Sequence, residues 1–298
     1  MKIGISLPVT APDAALTWAR HIDSGPFDTV AVSDRLVYAS PDPLITLAAV
    51  AGATSRVRLR TQVLLAALRD PVVLAKQVAT LDRLSGGRFS LGVGLGDRAD
   101  DYQAAGLRMS DRGRLLDDRI RRLLQVWPGG KPDADGTDGA DTAQDIGTIG
   151  PRPASDDGPE LLFGGFSAAA VQRVARWGAG YICAMVPDPS GGIFRGVEKA
   201  WQAAGREGAP QLIAQANVAI GPSSVIAEAK SLISSYYSFL DALDAPVSSA
   251  VVTDSMLTSE DQLRDALETC RQIGASELVF MCWSPDIAQL DRIAQVLD

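Results

Sequence analysis

Residues 87–97 read GRFSLGVGLGD, an apolar run that ends in three glycines spaced G-x-G-x-G. A strand entering a glycine-rich turn invites a nucleotide-binding reading. The dinucleotide fingerprint, however, needs G-x-G-x-x-G, with its last glycine inside the helix that follows. No lysine follows to hold a phosphate, so a P-loop is excluded as well. The glycines therefore serve a different fold, and the flanking sequence says which.

Outward from this run, apolar stretches of strand length alternate with helical periodicity. The strand candidates are KIGISLPV (2–9), DTVAVSD (28–34), VRLRTQVLL (57–65), RFSLGVGL (88–95), PELLFGG (159–165), GYICAMV (180–186), QLIAQANVAI (211–220) and ELVFMCW (277–283). Between them lie helical segments such as DPLITLAAVAGAT (42–54), DPVVLAKQVATLDRLSGG (70–87) and SAAAVQRVARWGAG (167–180), several ending in glycine. Strands apolar on both faces require a parallel sheet covered by helices, and eight such units close into a (β/α)8 TIM barrel. An open doubly wound sheet is the alternative. It fits less well, because no glycine fingerprint follows the first strand. The chain of 298 residues reads as one barrel domain, 1–298. Residues 129–158, rich in Gly, Asp and Pro, break the rhythm and read as a surface insertion at the N-terminal face of the barrel.

Composition excludes several functions. No run approaches the roughly 18 apolar residues of a membrane span, and MKIGISLPV enters a strand directly, so a cytoplasmic protein is expected. A net charge of −8 disfavours a nucleic-acid partner. With one histidine, His21, and no CxxC, HxH or HExxH spacing, no metal site is expected. His21 reads as a helix residue facing solvent. Cys183, Cys270 and Cys282 are scattered and read as buried thiols.

LRDPVVLAKQVATLDRLSGGRFSLGVGLG (68–96), followed by Asp101-Tyr102, DRGRLLDDRI, PRP, LLFGGFS, RVARWGAGYI and LRDALETCRQIGASELVF, resembles the luciferase-like family of flavin-dependent barrels. That family includes FMN-dependent monooxygenases and deazaflavin (coenzyme F-420) dependent reductases and dehydrogenases. The resemblance implies an oxidoreductase that holds coenzyme F-420 or FMN, acts on a small organic substrate and pairs as a homodimer through the helices flanking strands two to four. It places the glycines of GVGLG where missing side chains leave room for a flat ring. Gly92 reads as backbone packing and Gly96 as cofactor-binding.

The other site residues implied lie at the C-terminal ends of strands, where barrels put their chemistry. Asp34 and Arg35 occupy a motif in which the family has Asp-His, the histidine acting as acid or base. Arg35 cannot shuttle protons near neutral pH, but it can stabilise an anionic ring or substrate. An ordinary loop ion pair between Asp34 and Arg35 is the alternative. Gln62-Val63 aligns with a non-proline cis peptide bond that bulges against the cofactor ring in many deazaflavin members. Gly164-Gly165-Phe166-Ser167 opens a helix, an end that attracts phosphate without a lysine. IGPSS (220–224) competes for that role, and Ser167 or Ser223 could equally be a helix cap. Met185 and Trp283 read as pocket or core residues, with core packing the commoner role. Two alternatives remain open. Arg35 in place of His, and Asp97 where many flavin members have Trp, fit a non-catalytic barrel that has lost its cofactor. Asp34, Asp97, Asp100 and Asp101 could instead serve a hydrolase or lyase, although they read as solvated loop charges.

Overall fold

The computed structural model describes residues 1–9, 11–127, 149–185, 190–242 and 247–297. Eight parallel strands close into a barrel in chain order: β1 (Lys2–Ser6), β2 (Thr29–Val32), β3 (Arg58–Thr61), β4 (Phe89–Val93), β5 (Glu160–Gly164), β6 (Gly180–Ile182), β7 (Gln211–Val218) and β8 (Glu277–Cys282). β8 returns to β1, with Lys2 opposite Glu277 and Ser6 opposite Met281. The α-helices among the described residues are α1 (Ala15–Ser24), α2 (Pro43–Ala53), α3 (Pro71–Leu84), α4 (Ala99–Ala104), α5 (Arg112–Val126), α6 (Ala168–Trp177), α7 (Gly192–Ala203), α8 (Ser223–Tyr237), α9 (Ser249–Asp254), α10 (Glu260–Gln272) and α11 (Ala288–Leu297). Every residue of β2, β4 and β8 is buried, which is why these strands carry no polar face.

The two Asp-Pro starts in the sequence are helix signals of one kind. Asp42 accepts hydrogen bonds from the N–H groups of Leu44 and Ile45, and Asp70 from those of Val72 and Val73, with a proline at the first helical position of α2 and α3. His21 lies half-exposed on α1, its Nε2 2.8 Å from Asp291 on α11. All three cysteines are free and buried. Burial holds their thiols above the usual range, to about 11 at Cys270 and about 12 at Cys282. Inside the barrel, Ala31, Leu162, Ile182, Ile213 and Val279 form one apolar layer. Glu277, at the start of β8, pairs there with Arg60 across a two-pronged contact of 2.5 and 3.0 Å, in space left by Gly4.

Most of the expected insertion, residues 129–148, lies outside the described residues. The part that is described packs on α3. The Ala154 N–H donates to Asp82, Lys76 to the Gly150 carbonyl and Arg83 to the Arg152 carbonyl. Asp82 and Arg83 end a helix that runs against the strands, so this contact sits at the N-terminal face of the barrel.

The glycines in and after β4 make room for neighbouring parts of the protein. A Cβ on Gly92 would stand 2.1 Å from the Thr61 carbonyl oxygen, and one on Gly94 would stand 2.5 Å from Val63 Cγ2. The ladder between β3 and β4 gives the reason. Arg60 pairs with Ser90, yet Leu64 pairs with Val93, so β3 spends one residue more than β4 over the same span. This is a bulge, and it pushes Val63 into space that Gly94 and Gly164 leave open. Gly96 has φ +70°, the left-handed region, and a Cβ there would meet Leu65 at 2.8 Å.

Candidate active site

An open cavity of about 390 Å³ lies at the C-terminal ends of the strands. That volume falls in the range of roughly 300 to 1,000 Å³ used by small-molecule sites. All nine residues singled out from the sequence line it: Asp34 and Arg35 after β2, Gln62 and Val63 after β3, Gly96 after β4, and Gly164, Gly165, Phe166 and Ser167 around the end of β5. The Gln62–Val63 peptide bond is cis, as the resemblance implies.

Asp34 and Arg35 do not pair with each other. Asp34 is 9% exposed, accepts from the Leu65 N–H and pairs with Arg69 at 3.0 Å, which in turn reaches Asp42. Burial raises the Asp34 carboxyl above its ordinary value, against the opposing charge of Arg69. Arg35 instead pairs with Asp101 at 2.7 Å and Asp100 at 3.6 Å, and it donates to the Val37 carbonyl. Asp101 is 1% exposed and also accepts from the N–H groups of Leu36 and Val37. The expectation of solvated acids therefore fails at Asp34 and Asp101, which are buried because each has a guanidinium partner. Asp97 and Asp100 are exposed, as expected.

The guanidinium of Arg35 lies 5.6 Å from the Tyr38 ring and 5.5 Å from that of Tyr236. Arg98 adds a second cation, 4.6 Å from Tyr236 and 4.0 Å from Phe239. Burial lowers the Arg98 pKa, and the neighbouring charge of Arg35 lowers it further. Burial raises the Tyr236 phenol, opposed by both arginines.

Across the cavity, Ser167 caps α6, its Oγ accepting from the Ala170 N–H at 3.3 Å. Gly165 has φ +129°, and its carbonyl accepts from the Tyr181 hydroxyl at 2.7 Å. The opening N–H groups of a helix lack intrahelical partners, so this end offers donors to an anion. The competing stretch at 220–224 does not line the cavity, and at the N-cap position of its helix stands Pro222, with no side-chain capping hydrogen bond. Three cavity residues carry a buried polar atom with no partner among the described residues: Arg35 Nη1, Gln62 Oε1 and Arg112 Nε. Leaving such an atom unpaired costs about 1–3 kcal/mol. The start of α6, with Gly164, Gly165, Phe166 and Ser167 on the cavity, fits the phosphate of a cofactor.

A family model described as luciferase-like monooxygenase matches residues 1–276. The chain belongs to this family. An uncharacterized protein of Mycobacterium tuberculosis is 31% identical over 173 residues, 58% of this chain and 60% of that protein. An F-420-dependent glucose-6-phosphate dehydrogenase of Beutenbergia cavernae is 35% identical over 184 residues, 58% of this chain and 53% of that enzyme. The match thus spans little more than half the length of these curated relatives. In structure, a monooxygenase from Streptomyces bottropensis superposes with a TM-score of 0.77 at 22% identity, covering 100% of this chain and 97% of the other.

This luciferase-like chain also lines its cavity with residues that the sequence did not single out, among them Arg98, Gln215, Tyr236, Phe239 and Met281. Gln215 was detectable, as a polar residue inside the apolar run of β7. Tyr236 and Phe239 fall where the family motifs give no guide. Of the two residues weighed for a pocket, Trp283 is buried against Tyr236 and Met185 is 43% exposed; neither lines the cavity.

Proposed function

We propose that the chain is an oxidoreductase whose cavity holds coenzyme F-420 or FMN beside a small organic substrate. The observation that carries this reading is the convergence of all nine residues on one cavity of suitable size. Bound there, either cofactor supplies hydride transfer, and reduced FMN also reacts with oxygen. The N-terminus of α6, with Gly164, Gly165, Phe166 and Ser167, receives the cofactor phosphate. Gln62, Val63 and Gly96 flank the ring. Arg35 supplies a fixed positive charge that favours an anion beside it, and Asp34 holds the Leu65 N–H and Arg69 in place.

The same reading makes this chain one barrel domain of a cytoplasmic homodimer. Ile45 on α2 and Val73 on α3, 74% and 54% exposed, supply apolar surface on the helices expected to pair. Among the described residues no helix is long and apolar enough to cross a membrane. The test is incubation of purified protein with FMN and, separately, with coenzyme F-420, followed by gel filtration. Retained absorbance of one cofactor supports the proposal and names the cofactor. Loss of both supports the empty barrel.

A further inference from the structure

The aromatic wall of the cavity holds a cation that the protein leaves without a counter-charge. Arg98, just before α4, lines the cavity, and its guanidinium lies 4.0 Å from the Phe239 ring and 4.6 Å from that of Tyr236. Its one hydrogen bond among the described residues runs from Nη2 to the Tyr236 carbonyl. Nε and Nη1 have no partner there, and both keep accessible surface, in contrast to Nη1 of Arg35. The acids that follow it in the chain do not neutralise it. Asp100 and Asp101 pair with Arg35, at 3.6 and 2.7 Å, and Asp97 is exposed to water. The phenols of Tyr236 and Tyr237 supply no negative charge, since burial raises both. Burial, and then the charge of Arg35, lower the Arg98 pKa, but a guanidinium starts so high that it stays charged at neutral pH. A guanidinium stacked on rings has its faces covered and its N–H edge free, and that edge takes a carboxylate through two parallel hydrogen bonds. Apolar surface adjoins it. The half-buried rings of Tyr237 and Phe239 both line the cavity, with centroids 6.4 Å apart and 31° between their planes.

Resting on the reading of this cavity as a flavin or deazaflavin site, we propose that the substrate is an apolar carboxylate and that Arg98 is the residue that selects it. The carboxylate meets the N–H edge of Arg98, and the hydrocarbon or aryl body lies on the rings of Tyr237 and Phe239. One unpaired guanidinium balances one charge, so a monocarboxylate matches it better than a phosphate ester, which carries about −1.5 to −2 at neutral pH. The phosphate of the cofactor belongs to the start of α6, which leaves Arg98 for the second molecule. A neutral ligand of the same shape would desolvate the guanidinium further and return no charge to it, so the site rejects that ligand.

The experiment uses the protein carrying whichever cofactor it retains. Isothermal titration calorimetry gives dissociation constants for phenylacetate, for phenylacetamide, its neutral isostere, and for acetate, which lacks the apolar body. The proteins are wild type, Arg98→Met, which keeps an apolar stem on the rings and removes the charge, and Arg98→Lys, which keeps the charge and removes the fork. Circular dichroism checks that both variants fold. Wild type is expected to bind phenylacetate at least about tenfold more tightly than either phenylacetamide or acetate. Arg98→Met should abolish the preference over the amide, and Arg98→Lys should weaken phenylacetate by at least about threefold. Both variants should hold the cofactor within about twofold of wild type, as charge-neutral contacts would. Three results overturn the proposal and leave the cofactor reading intact: no preference in wild type, unchanged phenylacetate binding in either variant, or a cofactor affinity that falls as far as that of phenylacetate, which would give Arg98 to the cofactor. Retention of neither cofactor overturns both.

Discussion

Arg35 stands where the family resemblance puts a histidine, and its surroundings show what the exchange does. One guanidinium pairs with Asp101, reaches the Val37 carbonyl and lies beside two tyrosine rings that touch each other edge-on. An imidazole offers at most two donors against the five of arginine, and it could not make these contacts at once. Arg35 is thus part of the wall as well as a charge in the cavity. Its removal would leave the carboxylate of Asp101 buried without its cation. Arg35→Ala is therefore expected to lower unfolding free energy by about 3 kcal/mol, the usual result of breaking a buried pair. Urea unfolding checks this, and a loss within about 1 kcal/mol, the range of an exposed pair, would show that the contact does not hold the loop. None of this was legible in the sequence. Residue type made Arg35 a candidate, but its partner lies 66 positions away and Asp34, the obvious neighbour, belongs to Arg69.

Among the elements, strands and helices were readable because each strand buried on both faces leaves an apolar run and each helix leaves a periodic one. The bulge in β3 was not readable from the residues alone. One extra residue between Arg60 and Leu64 alters no pattern of polarity, and only the family resemblance singled out Gln62 and Val63. The bulge nonetheless explains the glycines opposite it, and two glycines separate the effects of space and conformation. Gly92→Ala would drive a methyl to 2.1 Å from the backbone oxygen of Thr61, which no side-chain motion relieves, so this variant is expected to fail to accumulate as folded protein. Gly52, exposed in α2, has open space where a methyl would stand, with nothing within 4 Å. Gly52→Ala is expected to raise stability by about 0.5–1 kcal/mol through helix propensity. Thermal unfolding of both variants is the check, and a folded Gly92→Ala protein of normal stability would mean the two strands are not packed so closely.

For the molecule as a whole, the alternation of eight runs was enough to specify a closed barrel, and barrel geometry then placed the site at the C-terminal ends of the strands. The aromatic wall of the cavity was not specified, because it comes from the long connection between β7 and β8, and such connections vary most between relatives. Exposed apolar residues on α2 and α3 lead us to expect a dimer; light scattering at micromolar concentration should give twice the mass of the chain, and the mass of one chain would rule the pairing out. Everything proposed for the cavity depends on the N-terminus of α6 receiving the phosphate of a bound cofactor. Gly165 is a poor place to test this, since its φ of +129° strains any side chain. Ser167 has an ordinary φ of −85°, and aspartate caps a helix as well as serine does, so Ser167→Asp adds a charge while keeping the fold. The decisive measurement is the dissociation constant of the retained cofactor for wild type and Ser167→Asp at matched ionic strength. At least a tenfold weakening with an unchanged unfolding midpoint is expected, whereas an unchanged dissociation constant would mean that the phosphate does not sit at this helix.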